Sequence, residues 1–190
     1  MSIENIIKES VEVKQEILSD TDFIKRIEVA AKICIDSLNN GGKIHFCGNG
    51  GSAADAQHLA AELSGRFYYD RPPLNAEALH VNSSYLTAVA NDYSFDYIYS
   101  RMIEASAKQG DVLFAISTSG NSNNIIKAIE AAKDKNVKVV GMTGMTGGKM
   151  AELCDVLLNV PTTCTPRIQE AHILIGHIIC EIIESTIFPK

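Results

Sequence analysis

The feature that most constrains the fold is the alternation of short apolar runs with longer helical stretches after residue 40. Strands buried on both faces read as continuous apolar runs, and helices between them indicate crossovers that keep the strands parallel. The predicted strands are residues 43–47, 76–81, 112–117, 137–142 and 156–160. The predicted helices are residues 53–67, 85–108 with a break near Asp92, 124–135, and 166–185 with Thr165 as N-cap. We therefore expect an α/β fold with a doubly wound, flavodoxin-like sheet of about five parallel strands flanked by helices.

Two further helices are predicted before the sheet begins. Apolar residues recur at helical spacing from Ile3 to Leu18, and residues 19–22 predict a break followed by a new N-cap. The second helix is expected to stop at the Asn-Asn-Gly-Gly run of residues 39–42. These extra N-terminal helices either build an oligomer interface or cover an edge of the sheet, and the sequence leaves both readings open. At 190 residues we expect one domain over residues 1–190.

Charge and composition exclude several functional classes. Lys and Arg number 17 against 23 Asp and Glu, so the formal charge is −6, and no basic run occurs. This balance argues against nucleic-acid or anionic-membrane partners. No apolar stretch reaches the ~18 residues of a membrane span, and the polar, acidic N-terminus lacks a signal pattern. Five cysteines, an odd number without CxxC spacing, predict no disulfide framework and no zinc knuckle. We expect a cytoplasmic protein.

Glycines and hydroxyls follow the predicted strands, where ligands bind in such folds. The first strand leads into residues 48–52, Gly-Asn-Gly-Gly-Ser, here called the glycine loop. The third leads into residues 117–122, here called the serine loop, with hydroxyls at Ser117, Thr118, Ser119 and Ser122. Helix N-termini with free N–H groups favour anions, and an N-cap alone needs only one hydroxyl. The two loops predict a phosphate site.

Candidate acid–base or metal residues fall on two predicted helices. His58 and Glu62 are four residues apart and share one face of the helix that follows the glycine loop. Gln169, His172 and His177 lie on the last helix. Each group taken alone is more often a structural hydrogen bond than a site. If both helices border one crevice, however, the pattern favours a metal or acid–base centre.

Five segments together resemble the phosphoheptose isomerases, a family of sugar isomerase (SIS) domain enzymes, over nearly the whole chain. They are Gly48-Asn49-Gly50-Gly51-Ser52-Ala53-Ala54-Asp55-Ala56-Gln57-His58, Glu62, the serine loop, Arg167-Ile168-Gln169-Glu170 and His177. The resemblance implies the SIS fold and a cytoplasmic homotetramer with one zinc ion per subunit. It implies His58, Glu62, Gln169 and His177 as zinc ligands, with Glu62 and His177 as catalytic groups. The implied substrate contacts are Asn49, Gly50, Gly51, Ser52, Glu62, Arg66, Asn91, Asp92, Ser117, Thr118, Ser119, Ser122 and Gln169.

The resemblance implies conversion of sedoheptulose 7-phosphate to D-glycero-D-manno-heptose 7-phosphate through an enediolate, the entry to activated heptoses for lipopolysaccharide, capsule or S-layer glycans. Two alternatives remain open: a non-catalytic SIS protein that binds a replication initiator, and an isomerase of another sugar phosphate. The joint presence of the four metal-ligand candidates favours an enzyme. Eight residues on a helix rise about 12 Å, which strains a shared ion between Gln169 and His177. We therefore expect the site at a subunit interface.

Overall fold

The computed structural model describes residues 2–190, and its helices alternate with strands from Ile44 onward. Two helices precede the sheet and five lie between or after its strands. Short 3₁₀ turns cover Phe95–Tyr97 and Gly148–Glu152. The elements are α1 (Ile3–Ser19), α2 (Thr21–Asn39), β1 (Ile44–Gly48), α3 (Gly51–Ser64), β2 (Ala76–Ala78), α4 (Ser83–Asp92), α5 (Ser100–Ser106), β3 (Val112–Ile116), α6 (Asn123–Asp134), β4 (Lys138–Thr143), β5 (Val156–Asn159) and α7 (Thr165–Ile187).

The five strands form one all-parallel sheet in the order β2-β1-β3-β4-β5, which confirms the predicted doubly wound class. The registers Phe46↔Phe114 and Phe114↔Val140 align the strands, so that their carboxyl ends meet along one edge. The strand order reverses between β1 and β3, and this is where doubly wound folds place their ligands. The glycine and serine loops follow these two strands.

Side chains of the central strands alternate between two cores. On one face, residues such as Phe46, Phe114 and Met142 pack with α1, α2, α3 and α7. On the other face, Leu113, Ala115 and Val139 pack with α4, α5 and α6. The strands are buried on both faces, which explains their continuous apolar sequences. The five cysteines are all free thiols.

The N-terminal helices pack on the first of these faces. Asp20 caps α2 by accepting hydrogen bonds from the N–H groups of Asp22 and Phe23, as the sequence predicts for this break. Helix α2 packs against α7 and the edge strand β5, in agreement with the reading that the extra helices cover the sheet. Only Val13 and Ile17 of α1 are buried, while Ile3 is 77% exposed. Among residues 2–190, no helix combines the length and apolar character of a membrane span.

Several boundaries differ from the sequence prediction. Helix α3 covers Gly51–Ser64 rather than residues 53–67. Strand β2 ends at Ala78 rather than residue 81, because it pairs with β1 over three residue pairs at the edge of the sheet. The predicted break near Asp92 is confirmed, because α4 ends there and a 3₁₀ turn separates it from α5. Helix α7 begins at Thr165 with Cys164 as its N-cap, so the predicted N-cap at Thr165 is wrong by one residue.

Candidate active site

The glycine loop turns sharply from β1 into α3. Gly50 adopts a φ of 56°, which side chains rarely tolerate, and it forms the N-cap without a side-chain hydrogen bond. Among the loop and turn hydrogen bonds of residues 2–190, none uses the backbone N–H of Asn49, Gly50 or Gly51 as donor. These amides and the α3 dipole form an environment suited to an anion.

The serine loop gathers its hydroxyls at the N-terminus of α6. Ser117 Oγ lies 3.0 Å from Ser122 Oγ and 3.5 Å from Ser119 Oγ. Ser122 is the N-cap of α6, yet its hydroxyl caps no backbone N–H. A cavity of about 290 Å³ opens beside the loop and is lined in part by Thr118 and Ser119. Three of the four candidate hydroxyls, those of Ser117, Ser119 and Ser122, thus lie together, and the cavity beside them leaves space for a ligand.

Two contacts tie the glycine loop to its surroundings. Asn49 Nδ2 donates to Asn124 Oδ1 at 2.9 Å, and Asn124 Nδ2 donates back to Asn49 Oδ1 at 2.8 Å. The hydroxyl of Tyr99 donates to the carbonyl of Gly48. Burial raises the pKa of Tyr99, with Cys47 adding to the effect and the contact with Gly48 opposing it. The phenol therefore remains a neutral donor.

His58, Glu62 and His177 come together within one chain. His58 Nε2 lies 3.0 Å from Glu62 Oε1 and 3.2 Å from His177 Nε2. One ligand atom from each of the three residues lies within 4.8 Å of the others, so together they could hold a metal ion. The His58 side chain is 47% exposed and that of Glu62 is 25% exposed, which leaves the cluster accessible from solvent.

Gln169 lies away from this cluster, at the other end of the contact between α3 and α7. Its side-chain amide is packed against Gly51, where even a Cβ atom would clash with Nε2. The two helices run parallel, since Gly51 faces Gln169 and His58 faces His177. Eight residues separate Gln169 from His177, a rise of about 12 Å. Within one chain the structure therefore brings together three of the four predicted metal ligands.

A buried ion pair joins the end of α3 to α7. Glu184 accepts hydrogen bonds from the N–H groups of Phe67 and Tyr68 at 2.9 and 2.8 Å, and from Arg71 Nε at 3.0 Å. The Arg71 and Glu184 side chains are only 2% and 1% exposed. Burial alone would raise the pKa of Glu184, but the N–H groups of Tyr68 and Phe67 and the Arg71 guanidinium lower it overall. The carboxylate is thus held in its charged form.

The same arginine holds the end of the helix that carries the ligand candidates. Arg71 donates to the carbonyls of Glu62 and Leu63 at 2.9 and 2.7 Å. The Phe67 ring lies against His177, with ring centroids 5.6 Å apart. Arg71 and Phe67 therefore fix the surroundings of both Glu62 and His177.

His172, a candidate from the sequence, is a structural residue in this fold. It is fully buried, and its Nε2 lies 3.1 Å from the carbonyl of Thr143. Burial lowers the pKa of His172 to about 4, against a smaller raising effect of the Thr143 carbonyl. The neutral ring therefore donates to Thr143, and the next residue, Gly144, donates to the carbonyl of Thr118 in the serine loop at 2.9 Å. His172 thus anchors α7 to the strand end beside that loop.

Three predicted substrate contacts are exposed side chains outside the two loops. Arg66 is exposed and follows the end of α3, about 20 Å along the helix from the glycine loop. Asn91 and Asp92 are exposed at the end of α4 and bond to each other at 2.9 Å. No hydrogen bond among the described residues joins these three side chains to either loop.

Sequence reasoning missed Asn124, Tyr99 and the Arg71–Glu184 pair. Asn124 had a detectable signal, because it shares a helix face with the buried Ala128 and Ala131, where an amide needs a partner. Tyr99 and the ion pair had none, since their partners lie 51 and 113 residues away in sequence.

Comparison with known proteins agrees with this fold. Residues 8–144 match the family model described as the SIS domain. Phosphoheptose isomerase of Aneurinibacillus thermoaerophilus is 52% identical over 186 residues, which cover 98% of this chain and 94% of that protein. Phosphoheptose isomerase of Rhodospirillum rubrum is 57% identical over 166 residues, covering 87% of this chain and 88% of that protein.

Solved structures give the same result. The phosphoheptose isomerase GmhA from Neisseria gonorrhoeae superposes with a TM-score of 0.90 at 46% identity, covering 96% of this chain and 97% of that one. A phosphoheptose isomerase from Francisella tularensis superposes with a TM-score of 0.92 at 38% identity, covering 96% of each chain. Fold, loops and relatives together define an SIS-domain sugar-phosphate isomerase. Within that class, the chain belongs to the phosphoheptose isomerase family.

Proposed function

We propose that this isomerase converts sedoheptulose 7-phosphate to D-glycero-D-manno-heptose 7-phosphate. The observation that carries the proposal is the convergence of His58, Glu62 and His177 between α7 and α3, the helix whose N-terminus lies at the glycine loop. The relatives named as phosphoheptose isomerases support the choice of a seven-carbon substrate. The product would enter activated-heptose synthesis for lipopolysaccharide, capsule or S-layer glycans.

We propose zinc as the metal held by His58, Glu62 and His177. Two imidazoles and a carboxylate are a common zinc donor set, and ligands of a tetrahedral zinc ion lie about 3.3 Å apart. The Nε2 atom of His58 lies 3.2 Å from Nε2 of His177 and 3.0 Å from Oε1 of Glu62, and both separations fit this requirement. When bound, zinc would polarise a substrate oxygen and stabilise developing negative charge there.

The proposed chemistry of the side chains follows from the proton balance. Moving the carbonyl from C2 to C1 removes a proton from C1 and returns one to C2, while O1 loses a proton and O2 gains one. We assign the carbon proton to Glu62 and the oxygen protons to His177. Metal ligation weakens a carboxylate as a base, so the two roles of Glu62 compete. The phosphate, held by Ser52, the serine loop and the N–H groups of the glycine loop, anchors the substrate for both transfers.

We further propose a cytoplasmic homotetramer, each subunit one SIS domain over residues 1–190, with sites completed at subunit interfaces. The position of Gln169 supports this assembly, since it packs against Gly51 and lies about 12 Å along α7 from His177 in the cluster of its own chain. Interfaces would also cover the exposed apolar residues Ile3 and Ile7 of α1 and bring Arg66, Asn91 and Asp92 toward a neighbour's loops.

The deciding experiment is an NMR time course of the purified protein with sedoheptulose 7-phosphate in D₂O, with and without a chelator. We expect the aldose to appear, activity to fall with the chelator and to return with zinc. Deuterium at carbon would report exchange of the transferred proton. A folded, zinc-supplied protein that forms no aldose and exchanges no proton would contradict the proposal and favour another sugar phosphate or a binding role.

The interface proposal has its own measurement. A Gln169→Ala chain and a His177→Gln chain are each expected to be nearly inactive alone. If a second copy completes the site, mixing the two before reassembly restores part of the activity, because some interfaces then carry both intact residues. Absence of any recovery in mixed tetramers, shown to have exchanged by native mass spectrometry, would contradict shared sites.

A further inference from the structure

The amide pair between Asn49 and Asn124 joins the glycine loop to α6, the helix that follows the serine loop. Each side chain donates one N–H to the other and accepts one in return, at 2.9 and 2.8 Å. The partners lie 75 residues apart in sequence, one in the glycine loop and one in the first turn of α6. A reciprocal pair fixes both the distance and the mutual orientation of two planar amides, which a single hydrogen bond does not.

Asn124 is placed to act on the loops rather than on a ligand. It is 2% exposed and lies on the buried face of α6 with Ile125 and Ala128. An unpaired amide at this depth is costly, so the pair forms whether or not a ligand is bound. Asn49, by contrast, is only partly buried, and its backbone N–H belongs to the group of free loop amides.

We propose that Asn124 is a positioning residue that, through Asn49, sets the spacing between the glycine loop and the serine loop and so the affinity for the substrate's phosphate. The proposal rests on the phosphate site of the proposed function but not on which sugar carries the phosphate. Asn49 then contributes to phosphate binding through its backbone, and its side chain serves the loop spacing.

The test is a double-mutant cycle with inorganic phosphate as the probe. Asn49→Ala, Asn124→Ala and the double variant are compared with wild type by ³¹P NMR titration. If the pair acts as one unit, each single variant weakens phosphate binding by about tenfold, the effect of one to two hydrogen bonds. The double variant then binds about as weakly as the single variants, because residues in one contact do not act additively. A loss of about 100-fold in the double variant, or no loss in either single variant, overturns the proposal.

Asn123→Ala is the matched control. Asn123 is exposed, precedes Asn124 on the same helical turn and takes part in neither loop contact. We expect its phosphate affinity to stay within about twofold of wild type, inside the usual range for surface substitutions. If Asn124→Ala does not fold, the same cycle is measured with Asn124→Ser and Asn49→Ser, which keep one polar group at each position.

Kinetics separate positioning from a general loss of structure. With sedoheptulose 7-phosphate, Asn124→Ala is expected to raise KM about tenfold while kcat stays within about threefold, because the reacting end lies at the His58 cluster. A fall in kcat as large as the rise in KM, or a fall in kcat alone, contradicts a phosphate-positioning role. If wild type lacks isomerase activity yet the phosphate cycle shows coupling, the proposed function fails while this inference stands.

Discussion

Replacing Gly176 by alanine tests whether the contact between α3 and α7 sets the separation of the metal-ligand candidates. Gly176 precedes His177 on α7, and it faces Leu59, which follows His58 on α3. An alanine Cβ would lie 2.6 Å from both terminal methyl carbons of Leu59. Ordinary contacts begin at 3.4 Å, so the helices or the leucine must give way by 3.4 − 2.6 = 0.8 Å.

The magnitudes favour metal affinity over stability as the readout. Overpacking of this kind destabilises by about 1–3 kcal/mol, while replacing a helical glycine by alanine stabilises by about 1 kcal/mol. The net loss in unfolding free energy is therefore only about 0–2 kcal/mol. A shift of 0.8 Å transmitted to the 3.2 Å gap between the Nε2 atoms of His58 and His177 widens it to 4.0 Å. That exceeds the roughly 3.3 Å between ligands of a tetrahedral zinc ion.

The assay is zinc competition against a fluorescent chelator, with urea unfolding run in parallel. We expect Gly176→Ala to weaken zinc binding by about tenfold or more, comparable with other changes just outside a metal's ligands. Adding Leu59→Ala should restore much of the affinity, because it removes the obstructing methyls. Leu59→Ala alone is expected to keep zinc binding and to lose about 2–5 kcal/mol of stability. Wild-type zinc affinity in Gly176→Ala, or no recovery in the double variant, would refute the reasoning.

Three further predictions concern residues around the site. Glu184→Gln leaves Arg71 without its charged partner and should lower the unfolding free energy at pH 7, measured in urea, by about 3 kcal/mol. The difference should shrink at acid pH, because the wild type loses the stability that comes from the lowered pKa of Glu184 as the pH falls through that pKa. His172→Gln keeps a donor for Thr143 and should lose less thermal stability than wild type between pH 7 and pH 5. In wild type, His172 is protonated near pH 6.5 in the unfolded chain but only near its lowered pKa of about 4 in the folded one, so the folded state loses stability over this range. Tyr99→Phe removes a hydrogen bond to the glycine loop and should cost about 1 kcal/mol in urea unfolding and raise KM by up to about tenfold in steady-state kinetics.

Much of the fold could be predicted because its signals are local. Apolar runs of strand length separated by helical periods define the parallel sheet before any contact is known. No local signal predicts the end of β2, because the strand stops where its pairing with β1 stops, after Ala78. The start of α7 could be predicted only to within one residue, because proline fits at either of the first two helical positions. Threonine is the better cap by residue type, but Cys164 takes the cap position and its side chain caps no N–H group.

The site was predictable in part for the same reason. His58 and Glu62 lie four residues apart, so helix geometry alone puts them on one face. Their meeting with His177, 119 residues from His58, depends on how α3 packs against α7. Helical spacing alone also could not separate His172 from His177, and only the family resemblance singled out His177. In the structure, burial distinguishes the structural histidine from the accessible one.

The parallel packing of α3 on α7 constrains how a ligand can use the site. Because Gly51 has no side chain, Gln169 packs against it at one end of the contact, and Leu59 packs against Gly176 in the same way further along. Residue 58 lies about 10 Å along α3 from residue 51, and residue 177 lies about 12 Å along α7 from residue 169. The anion loops and the histidine cluster of one chain are therefore held about two helical turns apart by rigid elements. A phosphate ester anchored in the loops meets the cluster of its own chain only if it extends over that distance, and Gln169 lies a similar distance from an ion held at His177 of the same chain.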